Sequence, residues 1–191
     1  GLDTTDDWIV QSYGQADAVI SLSQGQPHCV VNCVTREEVE TALPTGSGIA
    51  WSTEANLPLG PADGGSLVLV NVVAQDASDP LLQGTVRLES GAWPMASNEV
   101  AMSRDLMSDL EVRMGDVVRL RHQTTQFRVV GVLHAEHTML APGFDFDVLR
   151  PGIVWVTGFV DLPGDTRPNE SIGTLLLDIR VDRTDFTGSE Q

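Results

Sequence analysis

The chain has 191 residues, 41% of them hydrophobic, enough for one large domain or two small subdomains with a real core. Its 11 basic and 27 acidic side chains leave a formal charge of −16 without a basic cluster, which argues against nucleic acid as a partner and keeps the surface away from anionic lipid headgroups unless something tethers it there. Every basic residue is arginine, so a Walker-type phosphate lysine, a Schiff base and a Ser-Lys dyad are all excluded, and any ATP chemistry belongs to another chain.

The sequence opens at Gly1 with no signal-peptide pattern and no apolar run near the roughly 18 residues of a spanning helix, so a segment of a longer polypeptide is expected. Residues 1–15 are a polar, acidic lead-in with Trp8, Ile9 and Val10 embedded. Residues 16–22 form the first expected strand, the chain turns near Pro27, and residues 28–34 are a short apolar run, either a strand or a covalently closed loop. Cys29 and Cys33 are the only two cysteines. In a straight strand their Cα atoms would lie about 13 Å apart, beyond the roughly 7 Å that a bridge spans, so a disulfide requires a turn at Val31-Asn32. Outside the cytoplasm such a bridge would persist, while two buried thiols or a metal site are the alternatives.

Thr35-Arg36-Glu37-Glu38 reads as a capping box opening a helix, with Val39, Ala42 and Leu43 on one face and Pro44 as its stop. An extended segment follows over 46–59, a turn over 61–65, and a strand over 66–74 apolar enough to be buried on both faces. After Asp79-Pro80 the texture changes to shorter β segments at 85–88, 99–102, 117–122 and 126–134. One helix interrupts them, with Ser103 as cap, Asp105 near its positive end, and Leu106, Met107 and Leu110 as a core stripe. Beyond Arg150-Pro151-Gly152 come a strand over 153–157, a turn of helix through Leu162, a polar loop to Ser171, and a last strand over 174–181. The apolarity of that strand matches 66–74, so it is expected to rejoin the first unit. The fold class is α+β: a small α/β subdomain of residues 1–80 and 150–191, with a β-rich subdomain of residues 81–149 inserted.

The groupings that carry chemistry elsewhere are weak here. His134 and His137 are three apart at a strand end, without metalloprotease spacing. Asp145 and Asp147 would share one strand face, and Asp161, Asp165 and Asn169 have oxygen ligands without EF-hand spacing. Gly46-Ser47-Gly48 is not a nucleophile elbow, and Trp8, Trp51, Trp93 and Trp155 are scattered as core or rim residues. No catalytic, cofactor or metal residue is assigned.

Gly91-Ala92-Trp93-Pro94, Asn98-Glu99-Val100-Ala101-Met102-Ser103, Val112-Arg113-Met114-Gly115-Asp116-Val117-Val118 and Phe127-Arg128-Val129-Val130-Gly131-Val132 stand in order along the chain. The series resembles the extracytoplasmic core domain of MacB/FtsX-type ABC transporter permeases. Residues 13–19 likewise look like the strand that follows the first membrane helix of such permeases. Read physically, these motifs are folding instructions: Gly115-Asp116 turns the chain, Ser103 caps, and Phe127, Val129, Gly131 and Leu133 alternate onto one strand face. The resemblance implies a non-catalytic, membrane-tethered domain at the extracytoplasmic face, joined to transmembrane helices of its own chain and served by a cytoplasmic ATP-binding subunit. It would couple ATP-driven motion of those helices to export or to a partner outside. Two other readings are a free extracellular module that captures a small ligand or peptide between its two units, and a hydrolase using Asp145 and Asp147.

Overall fold

Most of this chain alternates branched apolar residues with polar ones, and branched side chains suit the pleated, half-buried surface of a sheet better than a helix. The structure, a computed structural model, describes residues 14–24, 36–121, 125–143 and 154–164. In chain order the elements are β1 (Ala18–Gln24), α1 (Arg36–Ala42), β2 (Gly48–Pro61), β3 (Val68–Ala74), a 3-10 turn (Pro80–Leu82), β4 (Leu88–Gly91), β5 (Glu99–Ser103), α2 (Arg104–Asp109), β6 (Val117–Leu120), β7 (Gln126–Leu133), β8 (Thr138–Ala141) and β9 (Val154–Asp161). The expected Cys29 and Cys33 pair, Thr35, Asp145, Asp147, Asp165, Asn169 and the strand over 174–181 lie outside the described residues.

Six strands close on themselves. β2 pairs with β3, β3 with β8, β8 with β5, β5 with β7, β7 with β6, and β6 returns to the end of β2. This ring is a small barrel, and closure removes the unpaired edges that an open sheet exposes. Its inner face gathers Leu59, Val70, Val72, Val100, Met102, Val118, Phe127, Val129 and Met139, with Leu106 of α2 and Leu110 at its C-cap packed into the same cluster. The ring takes β2 and β3 from before residue 80 and its other strands from residues 81–149.

β2 runs for 14 residues because it serves two neighbours. Gly48 to Ala55 pairs with β9, and Thr53 to Leu59 pairs with β3. β9 lies between β2 and β1 and is antiparallel to both, so the barrel carries a three-stranded extension made by early and late segments of the chain. Val39 of α1 covers one face of that extension against Ala18, Ile20, Val160 and Leu162. On the other face the 3-10 turn brings Leu82 onto Val19, Ala50 and Phe159.

The α+β class holds as a mixed, mostly β sheet with two short α-helices among the described residues. Several local expectations change. β3 is not buried on both faces throughout, because Leu69 is 64% exposed and only Val72 to Ala74 are enclosed on both sides. No strand forms over 85–88; Thr85 instead returns its hydroxyl to the Leu82 carbonyl at 2.8 Å, and β4 begins at Leu88. The helical turn expected before Leu162 is absent, since β9 stays extended to Asp161. β8, buried at all four positions, had no counterpart in the sequence reading. Ala42 is exposed while Val39 and Leu43 pack inward.

The alternation along β7 also breaks. Opposite Val100 and Ala101 the register shifts between Val129 and Gly131, a bulge that inserts one residue. Phe127 and Val129 therefore face the barrel interior, whereas Leu133 packs outside with Val73, Ala101 and Leu140.

Candidate functional site

The strands of the extension are apolar on the α1 side, and on the other the cluster under the 3-10 turn gives way to polar residues. On that second face, antiparallel pairing sets Ser21, Thr157 and Ser52 side by side across β1, β9 and β2. Asn71 of β3 and Thr138 of β8 are likewise register partners. These residues, with Glu54 and Gln75, line an open trough of about 520 Å³. Its rim is formed by Thr85 to Arg87 on one side and by His134, Ala135 and Glu136 of the β7–β8 loop on another. Gln75 is buried and donates to the Thr85 hydroxyl at 3.2 Å, so the rim is tied to the floor. Hydroxyls, carboxamides and the Glu54 and Glu136 carboxylates make this a surface of hydrogen-bond donors and acceptors, suited to holding a polar ligand.

The trough was missed in the sequence although a signal was there: a single Asn71 inside SLVLVNVVA, Ser21 and Ser23 alternating in β1, Ser52 in β2 and Thr157 in β9. A polar residue on a strand that is otherwise apolar marks a face that meets something other than core.

The residues of the family-like series are placed as structural members. Gly91 and Gly131 face each other across the β4–β7 pairing. A Cβ on Gly131 would stand 2.4 Å from the Ala92 carbonyl oxygen, and one on Gly91, whose φ is +85°, would stand 2.5 Å from that of Val130. No side chain fits at either position. Trp93 packs on the outer barrel cluster and Pro94 is buried beside it in sequence. Glu99 folds the 92–98 loop back by accepting from the Met95 and Ala96 amides, both at 3.2 Å. Those two amides, with Arg128 at 3.6 Å, hold its carboxyl below the usual range. Val100 is wholly buried. Gly115 takes φ +92° in the turn before β6, and Asp116 accepts from the Arg113 amide at 2.8 Å.

Ser103 stands at the N-cap of α2 but does not cap it through its side chain. Its buried hydroxyl accepts from the Thr138 amide at 3.1 Å and so ties β5 to β8.

The two histidines at the end of β7 part company. His134 is on the trough rim, with its amide donating to the Arg87 carbonyl at 2.9 Å. His137 turns to α2, where Nδ1 meets Asp105 Oδ2 and Nε2 lies 3.2 Å from Asp109 Oδ2. Burial alone would raise the Asp105 carboxyl. Hydrogen bonds from Ser103 and from the His137 and Leu106 amides, with the His137 charge, outweigh that and hold it below its ordinary value.

Among the described residues no three of His, Cys, Asp and Glu are placed to hold a metal ion, and no helix is long and apolar enough to cross a membrane. Ser47 sits in a turn, its amide donating to the Pro44 carbonyl at 3.1 Å. Trp51 packs beside α1 and donates to Glu40 at 3.0 Å, with the Arg36 guanidinium 5.2 Å above its ring. Trp155 is 48% exposed.

No protein-family model and no curated protein matches the chain. Solved structures do. A domain of a permease protein from Porphyromonas gingivalis superposes with a TM-score of 0.50 at 16% identity, covering 91% of this chain and 87% of that one. The extracellular domain of the noncanonic ABC-type transporter YknZ from Gram-positive bacteria superposes with a TM-score of 0.53 at 12% identity, covering 87% of this chain and 97% of that one. The chain has the fold of these permease and transporter extracellular domains.

Proposed function

We propose that this protein is the extracytoplasmic domain of an ABC transporter permease of the FtsX or MacB kind. The carrying observation is the near-complete coverage of a transporter's extracellular domain by this fold, joined to the ordered motif series over 91–132. In this reading the domain is non-catalytic. It transmits motion between the membrane helices of its own chain and a substrate or protein partner outside, and the ATP is hydrolysed by a cytoplasmic subunit. In this reading the extension of β1, β9 and β2, made by early and late segments of the chain, lies towards the membrane helices, and residues 81–149 supply four strands of the barrel. A rigid barrel suits force transmission, because a closed ring of paired strands deforms less readily than an open edge.

The test uses the full-length protein in intact cells, with Cys29 and Cys33 changed to Ser and Ser66→Cys placed in the exposed β2–β3 turn. A membrane-impermeant maleimide is expected to label position 66 before lysis. Labelling only after lysis overturns the proposal. The trough favours a second reading, capture of a polar ligand or peptide by a free module. That reading predicts saturable binding weakened by Glu54→Gln, in a protein whose full-length chain has no spanning helices.

A further inference from the structure

The contacts of His137 go beyond what a loop needs to turn. Its φ is +44°, a left-handed conformation that a residue with a Cβ seldom takes. Its amide donates to Asp105 Oδ2 at 2.9 Å, its Nδ1 meets the same oxygen, and its Nε2 reaches Asp109 Oδ2. A neutral imidazole has one N–H, so only the doubly protonated ring can donate to both carboxylates. We propose that the His137 imidazolium is a latch joining the β7–β8 loop to α2, which makes the rim of the trough responsive to the surrounding pH.

Two carboxylates face the His137 ring. Asp105 and Asp109 approach from α2, while Arg104 on the same helix is engaged by Glu89 of β4. The loop itself contributes His134 and Glu136. β3 touches the site through the Asn71 amide, which donates to the His137 carbonyl at 2.9 Å, and neither β3 nor β8 carries a titratable side chain. Loss of one ring proton leaves one carboxylate without its donor and the loop held mainly by backbone bonds. Residues 134–136 line the trough directly, so loss of the ring contact loosens the rim that they form, while the His134 amide stays on the Arg87 carbonyl at 2.9 Å. At the acid end the latch fails differently, when Asp105 is protonated; its carboxyl is held below the ordinary value, which extends the working range downward. The latch is closed where both carboxylates are ionised and the ring carries both of its protons, and it opens when the ring loses one. This inference does not depend on the assignment to a permease.

Amide hydrogen exchange read by NMR tests it. Corrected for the intrinsic rate, protection of the His137 and Thr138 amides is expected to fall about threefold between about pH 5.5 and about pH 8. His137→Asn, which tolerates the left-handed backbone, should remove that pH step. Asp109→Asn changes a half-exposed side chain and should shrink the step with the fold intact. Nitrogen spectra of the imidazole should show both ring N–H groups at the lower pH. Protection that stays flat with pH in the unsubstituted protein, or a step that persists in His137→Asn, overturns the latch.

Discussion

The barrel and the extension are built from the same kind of strand, yet they are stabilised differently. Each barrel strand has two partners within the ring, and the interior is a single cluster fed by six strands and α2. The extension has two thinner clusters, one on each face, and its second face gives way to the polar trough. Closure concentrates apolar burial and therefore cooperativity, whereas an appended sheet exposes one face for other uses at the cost of local stability. The same β2 strand belongs to both regions, so the contrast arises from neighbours and not from propensity.

The largest effect is expected inside the barrel. Phe127→Ala empties a site that is 1% exposed and should lower unfolding stability by about 3–5 kcal/mol, read as a shift in the urea midpoint with one cooperative transition. Gly131→Ala comes next: its Cβ would meet backbone rather than a movable side chain, so about 1–3 kcal/mol should be lost, and a neutral result would show that the β4–β7 contact can relax. In the extension, Val160→Ala should cost about 2 kcal/mol. Its signature should be local: faster exchange of β1 and β9 amides while barrel amides hold. Uniform acceleration everywhere would mean that the two regions unfold as one. On the trough floor, Thr157→Ser should change stability by less than about 0.5 kcal/mol.

Acid should act on particular tethers. Asp76 is held below the usual carboxylate range by the Ser78 hydroxyl and amide, and Glu99 and Asp105 are held low as described. A depressed folded-state value contributes stability that is fully present above the unfolded value and is lost as pH falls through the folded one. The urea midpoint should therefore drop below about pH 4. Asp105→Asn should flatten part of that slope.

Much of the chain order was legible in the residues because local rules decide it. Pro44 ends α1 after Ala42, the turn at 61–65 separates β2 from β3, and Gly115 turns the chain into β6. Closure of the barrel was not legible. It depends on the end of β2 meeting β6, a pairing of Leu59 with Leu120 that no window of local pattern contains. β8 was hidden because four buried residues, TMLA, have no period to read. Ser103 was assigned to a helix cap because the local alternative was visible and its distant partner, Thr138, was not. The trough required knowing which faces align, since Ser21, Thr157 and Ser52 become neighbours only through β9. The same long-range registry brings His137 to Asp105 and Asp109.

β9 as the middle strand of the extension has a consequence for how the protein is made. β1 leaves the ribosome early, but the strand against which it pairs begins at residue 154. At ordinary synthesis rates β1 waits roughly ten seconds or more for its partner. The barrel strands are all complete before then and can form first. The extension is thus the last part to assemble, and β1 must stay soluble meanwhile, a demand that Asp3, Asp6, Asp7 and Asp17, with no basic residue among them, are suited to meet.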